Sequence, residues 1–186
     1  VLTGAGDKYF CAGHNLAPRP DVTEEERERL RMQRTYWPLS GTVNGAMTGV
    51  DGRMGDHYPQ IWKPVVAAVN GWAAGAGFYL VLGSTDIRIA CEEHARFKFA
   101  LLSQGWVGNG PGATLLTRQV NYADAMRILL MDEPFGADEA LRIGLITEVV
   151  PHTALLARPA EMAQRLVSMP PVAVRSMNAF VGRFSV

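Results

Sequence analysis

Two short runs of small residues carry most of the chemical suggestion in this chain: Phe10-Cys11-Ala12-Gly13-His14-Asn15-Leu16 and Asn70-Gly71-Trp72-Ala73-Ala74-Gly75-Ala76-Gly77-Phe78. Small side chains let backbone N–H groups approach a ligand closely. The second run opens a helix, where free N–H groups and the helix dipole favour developing negative charge. Two N–H groups aimed at one point make an oxyanion hole, and losing one such donor typically costs about 2.7–4 kcal/mol of transition-state stabilisation. A run of this kind taken alone is more often just a tight packing turn. Neither is a dinucleotide fingerprint: Gly71–Gly77 contains no Gly-x-Gly-x-x-Gly, and Gly4-Ala5-Gly6 lacks the third glycine.

The elements that must position these turns follow from hydrophobic patterning. Val1-Leu2-Thr3 reads as a strand. Thr23-Glu24-Glu25-Glu26 has the form of a capping box, opening a charged, solvated helix to about residue 35. Residues 41–55 hold five glycines and little periodicity, and read as a loop. Val65–Val69 is a continuous apolar run, as in a strand covered on both faces. Asn70–Gly77 reads as a turn feeding an apolar helix over Phe78–Leu82. Strands are expected at Asp86–Cys91, Phe97–Phe99 and Ile146–Val150, and helices at Ala113–Val120, Ala123–Met131, Ala137–Ile143, Thr153–Ser168 and Val172–Val181. Strands alternating with helices indicate an α/β fold with a largely parallel sheet. The division expected is a core over residues 1–150 and a C-terminal helical segment over 151–186. Val1 stands inside a strand and Val186 just after a helical pattern, so the sequence reads as incomplete at both ends.

Composition narrows the function classes. The chain has 186 residues, 48% of them hydrophobic, enough for one domain with a substantial core. Eighteen Lys and Arg balance eighteen Asp and Glu, which argues against nucleic acid as the main partner. Cys11 and Cys91 form no Cys-x-x-Cys, and the four histidines show no His-Glu-x-x-His spacing, so no metal site is expected. No apolar run reaches the ~18 residues of a membrane span. A cytoplasmic protein without a membrane partner is the expectation.

Taken together, several motifs carry a family resemblance over almost the whole chain apart from residues 20–60. They are Val1-Leu2-Thr3-Gly4-Ala5-Gly6 with Phe10-Cys11-Ala12-Gly13, Lys63-Pro64-Val65-Val66-Ala67-Ala68-Val69-Asn70-Gly71, Asp86-Ile87-Arg88-Ile89-Ala90, Leu116-Thr117-Arg118, and Ala137-Asp138-Glu139-Ala140 with Gly144-Leu145. The chain resembles the crotonase, or enoyl-CoA hydratase/isomerase, superfamily. The resemblance implies a spiral of ββα units with a C-terminal helical region, assembled as trimers or hexamers. It implies an acyl-CoA substrate whose thioester oxygen accepts from two backbone N–H groups, by position those of Ala12 and Ala76. Coenzyme A would enter as part of the substrate, with no separate cofactor. Ala12, Gly13, His14 and Asn15 would flank the CoA, with Gly75, Gly77, Leu101 and Trp106 also lining the substrate. In much of the family an aspartate stands at the place of Asn15.

The departures bear on mechanism. Hydratases of the family use two glutamates; Tyr79 and Leu101 occupy those places here, and neither is a carboxylate base. Where some isomerases and dehalogenases have a working aspartate, this chain has Asn109, which can orient a water or a carbonyl or can simply be a turn residue between Gly108 and Gly110. Tyr79 offers a hydroxyl as donor or acid, or is a core aromatic. His57 is either a base reaching the acyl pocket or a surface histidine. His14 reads as a loop residue near CoA, and Cys11 as a small buried residue. Trp106 either walls the acyl pocket or packs in the core. Three functions remain open: an acyl-CoA lyase, isomerase or hydrolase of fatty acid metabolism type working through a thioester enolate, a non-catalytic acyl-CoA binder, and a hydrolase of non-CoA substrates such as diketones.

Overall fold

The computed structural model describes residues 1–13, 23–25, 63–105 and 112–184, with 180–184 by their backbone alone. Eight strands lie among these residues: β1 (Leu2–Thr3), β2 (Tyr9–Cys11), β3 (Val66–Val69), β4 (Trp72–Ala74), β5 (Ile87–Cys91), β6 (Arg96–Lys98), β7 (Phe135–Gly136) and β8 (Glu148–Val150). The helices are α1 (Ala76–Ser84), α2 (Gly112–Gln119), α3 (Tyr122–Met131), α4 (Ala137–Arg142), α5 (Ala157–Val167) and α6 (Pro171–Phe184). Short 3-10 turns cover Leu102–Gln104 and His152–Ala154.

The strands form two four-stranded sheets, in the orders β1-β3-β5-β8 and β2-β4-β6-β7. Successive strands therefore alternate between sheets: β1, β3 and β5 enter one, and β2, β4 and β6 enter the other. All pairings are parallel except β6 with β7. This is the α/β arrangement expected. All four residues of β3 are buried, as the continuous apolar run requires of a strand flanked on both sides and covered on both faces. Phe78 on α1 and Phe97 on β6 are fully buried, and Phe97 stacks on Phe135 of β7 with ring centroids 5.4 Å apart.

Three local readings change. Asn70–Gly77 is not a single turn: Trp72–Ala74 is a strand paired with both Tyr9–Cys11 and Arg96–Lys98. Its two alanines carry little strand propensity, and a ladder on each side supplies what they lack. The expected helix over Thr153–Ser168 begins as a 3-10 turn and becomes α-helical only at Ala157. Pro159 then falls in the first turn of α5, where its missing N–H breaks no intrahelical bond. The two-residue strand Phe135–Gly136 was not anticipated at all. Glu24 and Glu25 are helical directly after Thr23, while Glu26 and the rest of that expected helix lie outside the described residues.

Two buried polar side chains tie the core together. Asn70 is 3% exposed; its Oδ1 accepts from the Gly4 N–H at 3.0 Å and its Nδ2 donates to the Gly6 carbonyl at 2.6 Å and the Tyr9 carbonyl at 3.3 Å. It thereby fixes the path from β1 into β2. Arg88, 8% exposed, donates Nε to Thr85 Oγ1 at 2.9 Å, Nη1 to the Leu145 carbonyl at 3.1 Å, and Nη2 to the Thr85 and Leu82 carbonyls at 3.1 and 3.3 Å. The last turn of α1 contains no basic residue of its own. Arg88 from β5 supplies the cation that its exposed carbonyls and dipole favour. Burial pushes the guanidinium down to about 10, partly opposed by Asp86, so it stays charged at neutral pH.

A second polar cluster lies at the end of β5. The buried Cys91 thiol lies 3.0 Å from Glu93 Oε2 and 3.5 Å from His152 Nδ1, while His152 Nε2 lies 3.2 Å from Asp7 Oδ1. Burial, and then the thiol's bond to the Glu93 carboxylate, raise the Cys91 thiol above its ordinary range. A neutral, enclosed thiol is a poor nucleophile. Cys91 is therefore expected to react with an aromatic disulfide reagent only as fast as the protein unfolds, readable as a slow phase that urea accelerates.

Candidate active site

The two small-residue turns meet. β2 ends at Cys11 and delivers Ala12 and Gly13; β4 ends at Ala74 and delivers Gly75, which caps the N-terminus of α1. Because β2 and β4 are parallel neighbours, both chains leave the sheet at the same end. The contact is close enough to exclude side chains. A methyl group added to Gly13 would lie 2.8 Å from the Ala74 carbonyl oxygen and 3.2 Å from the Ala76 nitrogen. One added to Gly77 would lie 2.0 Å from the Cys11 carbonyl oxygen. Gly13 and Gly75 also take φ of 94° and 54°, conformations that L side chains rarely adopt.

The backbone groups at this junction divide between bonded and helix-initial ones. Ala76 and Gly77 are the first two residues of α1, so their N–H groups have no acceptor within their own helix. Gly75 N–H donates to the Lys98 carbonyl at 3.1 Å, which anchors the turn to β6. Phe78 and Tyr79 N–H groups both bond back to the Gly75 carbonyl. Ala12 is exposed, and Gly13, Gly75 and Ala76 are half-buried, so the junction opens to solvent on one side.

Tyr79 is 5% exposed, and its ring packs against Phe99 with centroids 5.4 Å apart. A methyl group on Gly112 would stand 2.1 Å from Tyr79 Cε1, so the start of α2 lies against the ring. Leu101 is half-buried and packs against the hydrophobic core just beyond β6. The structure thus brings Ala12, Gly13, Gly75, Ala76 and Gly77 together, with Tyr79 one helical turn further on. His14, Asn15, His57, Trp106 and Asn109 lie outside the described residues. Among the described residues there is no group of three or more His, Cys, Asp or Glu side chains able to hold a metal ion.

Sequence reasoning missed Asp132. This residue ends α3 in a left-handed conformation, φ 49° and ψ 34°, and is 4% exposed. Its Oδ1 accepts from the Ala100 N–H at 2.7 Å, and its Oδ2 from the Leu101 and Ser103 N–H groups at 2.9 and 2.8 Å. Burial alone pushes this carboxyl up, but the bonds from Ser103 and Ala100 and the Lys98 charge outweigh it, and the net shift is downward. Its contribution to stability is complete above the ordinary aspartate value of about 3.9 and fades as pH falls through the lower folded value. Asp132→Asn is accordingly expected to lose less stability than the parent between pH 5 and acid, as measured by urea midpoints. Its partners are backbone N–H groups 29 to 32 residues away, which leave no signal in the sequence.

Comparison with known proteins supplies the family. The enoyl-CoA hydratase/isomerase family model matches residues 1–184. The chain is 34% identical over 176 residues to (E)-benzylidenesuccinyl-CoA hydratase of Thauera aromatica, covering 95% of this chain and 61% of that enzyme. It is 33% identical over 184 residues to short-chain-enoyl-CoA hydratase of Clostridium acetobutylicum, covering 98% of this chain and 63% of that enzyme. An enoyl-CoA hydratase crystal structure from Bacillus anthracis superposes with a TM-score of 0.73 at 30% identity, covering 97% of this chain and 62% of that one. The chain thus spans somewhat under two thirds of the length of these relatives. On the matched family model, the level of identity and the shared fold, the chain belongs to the enoyl-CoA hydratase/isomerase family, within the crotonase superfamily.

Proposed function

We propose that the protein binds an acyl-CoA ester and polarises its thioester carbonyl between the backbone N–H groups of Ala12 and Ala76, stabilising an enolate-like state. The observation that carries this reading is the approach of Gly13 to the Ala76 nitrogen, which puts the two turns side by side. An enolate oxygen at this junction would meet donors already fixed by β2, β4 and the N-terminus of α1, with little reorganisation as charge develops. The relatives, named as hydratases of CoA esters, support the same substrate class. Coenzyme A belongs to the substrate in this reading, with no further cofactor. We place the protein in the cytoplasm as a homotrimer or hexamer; no described helix is long and apolar enough to cross a membrane.

The proton-handling group is not the hydratase pair of glutamates, because Tyr79 and Leu101 stand in those places. The reaction is then a lyase, isomerase or hydrolase step in which Tyr79, His57 or Asn109 orients the substrate or moves the proton. One observation favours a second reading, a non-catalytic acyl-CoA binder: the Tyr79 ring is enclosed by Phe99 and Gly112. Calorimetry with acetyl-CoA and crotonyl-CoA, followed by mass spectrometry of the same samples, separates the two. Binding with a change in mass or double-bond position establishes the enzyme; binding without change across a broader acyl panel establishes the binder. Absence of binding by the folded protein would sink both and favour a non-CoA hydrolase.

A further inference from the structure

The loop after β6 contains a backbone conformation that needs a cause. Ala100 has φ 55°, left-handed for a residue with a side chain. Such positions are unfavourable and persist only where the surroundings over-determine them. Here the surroundings are one carboxylate. Asp132 gathers the N–H groups of Ala100, Leu101 and Ser103 onto its two oxygens, all at 2.7–2.9 Å, from 29 to 32 residues away in sequence. Asp132 is itself left-handed and buried, so two unfavourable backbone conformations and a desolvated charge are held by these three bonds.

What the clamp holds is the wall beside the two turns. Gly75 N–H bonds to the Lys98 carbonyl, and a methyl group on Gly75 would lie 3.9 Å from the Phe99 carbonyl oxygen. The clamped segment therefore starts against the N-cap of α1. Phe99 packs on Tyr79, and Leu101 packs on the core next to it. A shift of the Ala100–Ser103 backbone is passed directly to Lys98 and Phe99, whose carbonyls lie against Gly75.

We infer that Asp132 is a positioning residue for the acyl site: its carboxylate occupies a nest of three backbone N–H groups and thereby sets where Leu101 and Phe99 stand relative to the oxyanion turns. The inference rests on the acyl-CoA reading above. It adds a residue that touches neither the substrate nor the turns and acts through the loop alone. Three converging N–H groups form an anion receptor in their own right, which gives the test its form.

The test uses the whole chain with three samples: parent, Asp132→Gly and Asp132→Asn. Glycine accepts φ near 49° without strain, so it removes the carboxylate while keeping the helix end. Amide hydrogen exchange at Leu101 and Ser103 reads the clamp, and calorimetry with crotonyl-CoA and with free CoA reads the site. In Asp132→Gly the two amides are expected to lose protection by about tenfold or more, the scale of one net hydrogen bond to a charged group. Crotonyl-CoA affinity falls with them, while free CoA, which lacks the acyl group, binds as before. Added formate, a carboxylate small enough for the vacated nest, restores protection and crotonyl-CoA affinity together in Asp132→Gly and has no effect on the parent. Asp132→Asn keeps one acceptor oxygen and falls between parent and glycine; it decides the matter should the glycine variant not fold. Unchanged amide protection in either folded variant overturns the clamp. Lost protection with unchanged crotonyl-CoA affinity overturns its role at the site. A parent protein that binds neither ligand refutes the acyl-CoA reading instead, and the exchange data then still decide whether the carboxylate holds the loop.

Discussion

Alanine at Gly77 is expected to lower the unfolding free energy by about 2–3 kcal/mol and to reduce crotonyl-CoA affinity more than tenfold. Helix propensity alone predicts the opposite, since alanine is better than glycine in a helix interior by about 1 kcal/mol. The packing decides the sign. The added methyl would sit 2.0 Å from the Cys11 carbonyl oxygen and 2.7 Å from its carbon, and both are backbone atoms of β2. Backbone cannot rotate away as a side chain does, so α1 and β2 must separate. That separation carries the Ala76 N–H away from the first turn. Urea midpoints and calorimetry on the same variant check both halves of the expectation. A variant with parental stability and affinity would show that the close approach of β2 to α1 does not seat the turns.

The second large effect is expected from Arg88→Met, a loss of about 3–5 kcal/mol. Methionine matches much of the arginine volume and removes the desolvated charge, which by itself is favourable. It also removes every donor to the Thr85 hydroxyl and to the Thr85 and Leu145 carbonyls that Arg88 supplies. Buried acceptors left without partners cost about 1–3 kcal/mol each. The Leu82 carbonyl keeps a partner, because Gln119 Nε2 also donates to it at 2.9 Å, and the Thr85 hydroxyl keeps its own bond to the Val81 carbonyl at 2.6 Å. Arg88→Lys keeps the charge but not the fork, and is expected to fall between the two. Equal stability for Arg88→Met and parent, measured by urea unfolding, would mean that the ends of α1 and the Leu145 turn are held by packing alone.

What the sequence made legible divides along a physical line. Val65–Val69 and Asp86–Cys91 announced strands because the sheet buries them through contiguous or alternating apolar residues, and that requirement is written locally. The turns at Gly13 and Gly75–Gly77 were legible for a similar reason: close backbone approach admits only small residues, and the approach is seen. Trp72–Ala74 was not legible as a strand, because its strand state comes from two neighbouring ladders rather than from its own side chains. Arg88 and Asp132 were opaque in another way. Each acts by bonding backbone groups far along the chain, Leu145 from Arg88 and Ala100 from Asp132, and backbone acceptors and donors leave no residue signature. Tyr79 reads from the sequence as acid or core aromatic, and its enclosure by Phe99 and Gly112 depends on a glycine 33 positions away, which no local pattern reports.

The alternation of strands between two sheets has a kinetic consequence. Thr3 meets the Ala68 carbonyl across 65 residues of chain, and β2 meets β4 across a similar interval. These contacts close one long loop in both sheets at once, so the entropy of closure is met once but rewarded twice. A topology dominated by such distant pairings folds slowly for its size. Because the Ala12–Ala76 junction exists only after that closure, no partly folded species on the way carries the proposed acyl site. Acquisition of ligand affinity during refolding should then coincide with the last and slowest phase, and ligand should slow unfolding of the whole sheet pair rather than of a local lid.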